Sequence, residues 1–124
     1  MSRRILVVED HEENRRIMRD LLTAAGYEML EAHTGEEGVA RAEAERPDLI
    51  LMDIQLPGLD GYEATRRIKA NPALRAIPVI AVTSYALSGD DQKALAAGCD
   101  AYITKPIDTR TLPETLARLL ETHP

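Results

Sequence analysis

Phenylalanine and tryptophan are both absent from this chain of 124 residues, and four tyrosines are all the aromatic character it has. A core must therefore be filled by Val, Ile, Leu and Ala, which favours closely spaced helix-on-sheet layers over an aromatic-filled barrel. Cysteine occurs once, at Cys99, so neither an internal disulfide nor a cysteine-based metal site can form. A small core residue is its expected role, and a reducing cytoplasm is the expected compartment. Also missing is any apolar run approaching the ~20 residues that a bilayer requires. Arg3-Arg4 ahead of Ile5-Leu6-Val7-Val8 has the outline of a signal sequence, but the run is too short and Glu9-Asp10 ends it. Positive charge is in deficit: a net charge of −6 argues against nucleic acid as a direct ligand and suits a soluble monomer. The length and the 44% apolar content fit one domain, residues 1–124, large enough to close a core.

What the chain does have is organised around Asp48-Leu49-Ile50-Leu51-Met52-Asp53-Ile54-Gln55-Leu56-Pro57-Gly58. Four apolar residues end on a carboxylate, and a Pro-Gly breaker follows. So short a continuous run predicts a strand buried on both faces of a parallel sheet, over about Leu49 to Asp53. Asp53 is then presented at the strand's C-terminal edge, where open α/β sheets place their ligands. A lone carboxylate there is costly without a cation or a chemical partner, which makes Asp53 the candidate reacting residue.

Other segments repeat the theme. Ile5 to Val8 forms a second apolar strand capped by Glu9-Asp10. Ile17, Met18, Leu21, Leu22 and Ala25 recur at helical spacing, with Arg15, Arg16, Arg19 and Asp20 on the other side and Gly26 as a C′ stop. Tyr27 to Ala32 alternates weakly, as an edge strand does. Thr34 and Glu37 make a capping box for a helix to about Arg46, where Pro47 ends it. Asp60-Gly61 opens a helix containing Ala64, Ile68 and the charged Glu63, Arg66, Arg67 and Lys69, ended by Asn71-Pro72. Pro78 to Thr83 predicts a fourth strand, Ser88 to Ala97 a helix closed by Gly98, and Ala101 to Thr104 a fifth strand followed by Lys105-Pro106. The last helix carries Leu112, Leu116, Leu119 and Leu120 on one stripe; Asp108 and Thr111 are both candidate caps.

Five strands alternating with five helices predict an α/β fold: one parallel sheet covered on both faces. Order 2-1-3-4-5 keeps the two most apolar strands central and brings Asp10 beside Asp53, with Thr83 and Lys105 next along the same rim. Acids gathered so closely invite a hard divalent cation. Mg²⁺ takes one or two carboxylates, a carbonyl and waters, so Asp10, Asp53 and the backbone C=O of Gln55 are its candidate ligands. Glu9 is expected to act through a bound water. Asp10 could instead cap the first helix. Mg²⁺ and Lys105 beside a carboxylate suit phosphoryl transfer, with Asp53 attacking in line and Thr83 donating a hydroxyl hydrogen bond. Gly58-Leu59-Asp60-Gly61 would form a mobile loop over the site. His11, His33 and His123 lack metal spacing and read as surface residues, although His11 neighbours the site.

Val7-Val8-Glu9-Asp10, Leu51-Met52-Asp53, Leu56-Pro57-Gly58-Leu59-Asp60-Gly61, Val82-Thr83-Ser84 and Thr104-Lys105-Pro106 resemble the motif set of two-component response-regulator receiver domains. The order and spacing match over nearly the whole chain. Met52-Asp53-Ile54-Gln55-Leu56-Pro57 and Cys99-Asp100-Ala101-Tyr102-Ile103-Thr104-Lys105-Pro106-Ile107 are most similar to DivK-type single-domain regulators. The resemblance implies a flavodoxin-like fold and phosphorylation of Asp53 by a histidine kinase or histidine phosphotransfer protein. It implies a switch in which Thr83 moves inward and Tyr102 follows, reshaping the face of the fourth helix, fifth strand and last helix for a downstream protein target. It further implies a monomer or weak phosphorylation-dependent dimer, catalysis limited to the protein's own phosphorylation and hydrolysis, and a cis peptide at Lys105-Pro106. Ile107 departs from the Phe that many receivers carry, and Ser84 from a common Ala. Tyr85 is expected to shield the acyl phosphate. Met18 and Ile107 form either a docking spot for the kinase or core.

Competing activities fit less well. An aspartyl phosphatase needs a second acid where Gln55 stands, and Glu9-Asp10-His11-Glu12-Glu13 would repel the phosphate of a flavin or nucleotide. A receiver module of a hybrid kinase or larger regulator, or a phosphate sink in a relay, is the alternative reading.

Overall fold

Residues 49–53 form the strand that their apolar run predicts, and the rest of the molecule is laid down around it. The computed structural model describes residues 3–83, 90–105 and 107–122. In chain order it comprises β1 (Arg4–Val8), α1 (Glu12–Ala24), β2 (Glu28–Ala32), α2 (Gly35–Glu45), β3 (Leu49–Asp53), α3 (Gly61–Ala70), β4 (Val79–Thr83), α4 (Asp90–Ala97), β5 (Ala101–Thr104) and α5 (Thr111–Thr122). The expected positions of Ser84, Tyr85, the helix start at Ser88, the Lys105-Pro106 peptide and His123 involve residues outside those described.

The strands pair in parallel in the order β2-β1-β3-β4-β5, as the apolar pattern and the receiver resemblance together predict. Val8 pairs with Met52, Asp53 with Val82, and Thr83 with Thr104, so the C-terminal ends of four strands form one rim. Every residue of β3 and β4 is buried. Side chains alternate across the sheet. Leu6, Val8, Ile50, Met52, Val79 and Ala81 face Ala42, Ala64, Ile68 and Ala94 of α2, α3 and α4. Ile5, Val7, Leu49, Leu51, Ile80 and Val82 face Met18 and Leu22 of α1 and the leucine stripe of α5. Each fully buried Ile, Leu, Val or Met contributes about 1.5–3 kcal/mol relative to exposure, and alanines on the first face let the helices sit close without aromatic filling. Cys99 lies in that first face, buried, as expected of a small core residue.

Caps explain the helix bounds. Thr34 accepts from the Glu37 backbone N–H at 3.1 Å, and Asp60 from that of Glu63 at 2.9 Å. Gly26 follows the Ala25 C-cap with φ +89, as a C′ glycine does. At α5 the carboxylate of Asp108 accepts from Arg110 N at 2.8 Å and Thr111 N at 3.4 Å, while Thr111 is the first helical residue. Pro113 therefore falls in the first turn, where no intrahelical donor is missing.

Two side chains depart from the helical pattern read in the sequence. Arg15, expected outside, is buried, whereas Ile17, expected inside, is 48% exposed. Arg15 can go inside because partners wait there: Nη1 donates to the Glu9 carbonyl at 2.9 Å, Nη2 to Glu12 at 2.5 Å, and Nε lies 3.3 Å from Glu31. Lys69 of α3 is also largely buried. Its ammonium donates to the carbonyls of Ile77 at 2.7 Å and Arg75 at 3.2 Å and to Asp100 at 2.9 Å.

Candidate functional site

Asp53 is the last residue of β3, and its side chain is 2% exposed. It stays at the surface of the rim because the chain turns sharply beneath it. Ile54 N donates to Val82 O at 2.9 Å, Gln55 N to Asp53 Oδ1 at 3.1 Å, and Gly61 N to Ile54 O at 3.1 Å. Gly61 is packed so tightly that a Cβ there would lie 2.2 Å from the Asp53 carbonyl oxygen. The loop expected to be mobile is strapped down on its other side too. Leu59 N donates to Glu36 of α2 at 3.0 Å, and a Cβ on Gly35 would meet the Leu59 carbonyl at 2.2 Å. Glu36 had no distinguishing signal in the sequence, since its partner lies 23 residues away.

β1 delivers the other acids. Glu9 N donates to Ala32 O at 3.0 Å, which carries the sheet ladder one residue past Val8 and leaves the Glu9 side chain fully buried. Asp10 is 27% exposed, and its Oδ1 is buried without a hydrogen-bond partner. It does not cap α1: the N-cap residue is His11, and no side chain caps that end. One ligand atom from each of Glu9, Asp10, His11 and Asp53 falls within 4.8 Å of all the others. The sequence read His11 as a surface residue neighbouring the site; the imidazole is exposed, and its Nδ1 lies 3.1 Å from Asp10 Oδ1.

Lys105, just past β5, closes the cluster. Its Nζ donates to Glu9 Oε1 at 2.7 Å and to Asp53 Oδ2 at 3.2 Å, while its backbone N donates to Thr83 O at 2.7 Å. Burial pushes the Asp53 carboxyl up, and the hydrogen bond and negative charge of Glu9 push it further, to about 7. For Glu9 burial acts the same way but is outweighed by hydrogen bonds with Asp53 and Lys105 and by the lysine's charge, leaving it at about 2. The pair thus holds one proton on Asp53 more readily than two negative charges on one ammonium. Burial alone would lower Lys105, yet contact with both acids raises it.

This donor set fits a hard cation. Mg²⁺ favours oxygen ligands and few protein carboxylates, and the orphaned Asp10 oxygen is a buried acceptor lacking a partner. Thr83 is buried at the end of β4, one residue past the partner of Asp53. Alternation puts it on the same face as Ala81, whose β5 partner is the half-buried Tyr102 packed against the first core face. Met18 belongs to the second core face, and Ile107 packs against it half-buried. Both also line a pocket of about 110 Å³ with Asn14, Ile17 and Lys105, beside the acidic rim.

The model of the response regulator receiver domain matches residues 5–117. The chain belongs to the response regulator receiver domain family. The receiver is 46% identical to the polar-differentiation response regulator DivK of Brucella anthropi over 97% of this chain and 98% of that protein. In structure it is similar to the receiver domain of a sensor histidine kinase from Pseudomonas aeruginosa PAO1, which holds a magnesium ion in its active site cleft (TM-score 0.91, 40% identity, 98% of this chain and 99% of that one). It is also similar to the chemotaxis protein CheY4 of Vibrio cholerae (TM-score 0.90, 28% identity, 96% and 99%). This receiver is therefore a DivK-like module of two-component signalling, a switch rather than a conventional enzyme. No helix among the described residues is long and apolar enough to cross a membrane.

Proposed function

We propose that residues 1–124 act as a phosphorelay switch in which Asp53 accepts a phosphoryl group from a histidine of a kinase or phosphotransfer partner. The observation that carries this reading is the convergence of Glu9, Asp10 and Asp53 within 4.8 Å, with Lys105 bonded to two of them. An Asp53 oxygen attacks phosphorus in line, the P–N bond breaks, and its electron pair stays on the partner's imidazole. Asp10, Asp53 and the Gln55 backbone carbonyl would hold Mg²⁺, with Glu9 acting through a water. That ion supplies charge neutralisation for the phosphoryl oxygens. Lys105 shares that task from the opposite side, and ionisation of Asp53 is its precondition.

Thr83 then donates its hydroxyl to the new group. Tyr102, a diagonal neighbour on the same sheet face, follows, and the α4–β5–α5 surface changes for a downstream protein. The pocket bordered by Ile17, Met18 and Ile107 next to Lys105 suits the docking of the phosphodonor, whose apolar side would cover the exposed Ile17. The setting is cytoplasmic, and the chain is a monomer or a weak dimer formed on phosphorylation. A second reading is a receiver module of a hybrid kinase or larger regulator, for which the 40% identity to a kinase-borne receiver speaks, or a phosphate sink in a relay.

Incubation with acetyl phosphate and Mg²⁺, read by intact mass, tests the core of the proposal. Wild type should gain one phosphoryl group, and Asp53→Asn or wild type in EDTA should gain none. Asp10→Ala should suppress the gain far more than it lowers stability; full phosphorylation of that variant would remove Asp10 from the cation site.

A further inference from the structure

The imidazole of His11 is the one feature of the rim that an oxygen-only cation site does not need. Its Nδ1 lies 3.1 Å from Asp10 Oδ1 and 3.4 Å from Glu9 Oε2. Two ligands on one ion with bonds of ~2.1 Å stand about 3.0 Å apart in an octahedral arrangement and about 3.4 Å apart in a tetrahedral one. Both separations therefore match edges of a coordination polyhedron. The Asp10 oxygen is buried without a hydrogen-bond partner; a protonated ring would pair with it and hydrogen-bond Glu9 Oε2, and a divalent ion between the same atoms would take that proton's place.

The contacts of the His11 ring are with the acids themselves. As N-cap residue of α1, His11 makes no side-chain cap, and its ring is 68% exposed, so packing does not hold it there. Its backbone does fix its place: His11 N donates to Glu9 Oε2 at 3.2 Å, and His11 O accepts from Arg15 N at 3.1 Å. The side chain is thereby rooted directly above the acids. Carboxylate and carbonyl oxygens suit Mg²⁺, whereas imidazole adds little for Mg²⁺ and much for Co²⁺, Ni²⁺ or Zn²⁺.

We propose that His11 is a nitrogen ligand of the rim, so that the site takes borderline divalent transition-metal ions more tightly than its carboxylates alone would. This rests on the reading of Asp10 and Asp53 as a cation site and extends it by naming the residue that sets metal preference. Asp10 and Asp53 supply oxygens to either class of ion. His11 contributes only to the second.

The test is calorimetric titration of the full chain with MgCl₂, CoCl₂ and NiCl₂, together with proton NMR of the Co²⁺ complex, for wild type, His11→Ala and His11→Gln. His33 and His123 are common to all three proteins and cancel in the comparison. Co²⁺ and Ni²⁺ affinity should fall tenfold or more in both variants while Mg²⁺ affinity moves less than twofold. Hyperfine-shifted imidazole signals should be present in wild type and lost with His11. Equal Co²⁺ affinity in wild type and His11→Ala overturns the proposal, and so does an equal loss for Mg²⁺ and Co²⁺, which makes the residue a general support. Wild type that binds Co²⁺ through His11 but not Mg²⁺ would uphold the imidazole ligand and sink the Mg²⁺ reading instead.

Discussion

Nζ of Lys105 lies 2.7 Å from Oε1 of Glu9, a contact that joins chain positions 96 residues apart. The two residues follow β1 and β5, which have β3 and β4 between them in the sheet. The lysine therefore reaches across the rim, and Asp53 at the end of β3 lies under that reach, 3.2 Å from the same ammonium. Glu9 fixes where the cation sits. Asp53 is raised by its burial and by the hydrogen bond and charge of Glu9, which the lysine only partly offsets, while contact with Lys105 and Asp53 leaves Glu9 depressed.

Removing the ammonium exposes that balance. Lys105→Met should cost about 3 kcal/mol at neutral pH in metal-free buffer, because the buried Glu9 carboxylate loses its counter-ion. The loss should shrink in acid as the carboxyls protonate, and urea melts at both pH values measure it. A variant equally destabilised at low pH would point to lost packing of the lysine stem instead.

The proton on Asp53 predicts a pH dependence with a definite sign. Its folded value of about 7 lies above the ordinary 3.8, so the unfolded chain releases this proton first. Its contribution to stability is then fully present below the ordinary value and is lost as pH rises toward 7. Asp53→Asn has no proton to lose. In EDTA the stability of Asp53→Asn relative to wild type should therefore rise between pH 4.5 and 7.5, by on the order of 2 kcal/mol. A gap that is flat with pH would contradict the raised value.

The sheet was legible because β1, β3 and β4 are short, nearly continuous apolar runs bounded by charged or polar residues, while β2 and β5 were set by their place between helix signals. The positions of Asp53, Lys105 and the Glu9-Asp10 pair were legible for the same reason: each ends or directly follows a strand. Arg15 and Lys69 were not. A helical wheel assigns a cation to solvent, and what draws these inside are carbonyls and carboxylates from other segments, the Glu9 carbonyl and Glu31 for one, and Ile77 and Asp100 for the other. Local hydrophobic spacing carries no information about such distant partners. His11 and Glu36 escaped for a similar reason, since their meaning depends on what the fold sets opposite them.

Arg15 should matter to the site and not only to the fold. It holds the Glu9 carbonyl, the peptide that leads into Asp10. Arg15→Met fills similar space but leaves that buried acceptor unpaired, at a cost of about 1–2 kcal/mol. Mg²⁺ affinity should fall several-fold by calorimetry as the Glu9-Asp10 backbone relaxes. Lost stability with unchanged Mg²⁺ affinity would confine Arg15 to a structural role.

Gly61 offers a sharper separation of site from fold. A methyl group there would sit 2.2 Å from the Asp53 carbonyl oxygen, 2.7 Å from Ile54 Cα and 2.9 Å from the Asp53 carbonyl carbon, all backbone atoms with no rotamer to yield. Gly61→Ala should cost about 2–3 kcal/mol, and because the displaced backbone belongs to the proposed phosphoacceptor, phosphorylation by acetyl phosphate should slow as well. Gly26→Ala is the control. It meets nothing within 4 Å, so its φ of +89 alone sets a cost of about 1 kcal/mol, far from the rim and without effect on the rate. Urea melts and phosphorylation time courses of both variants decide the matter, and equal rates in the two would mean that Asp53 tolerates the shift.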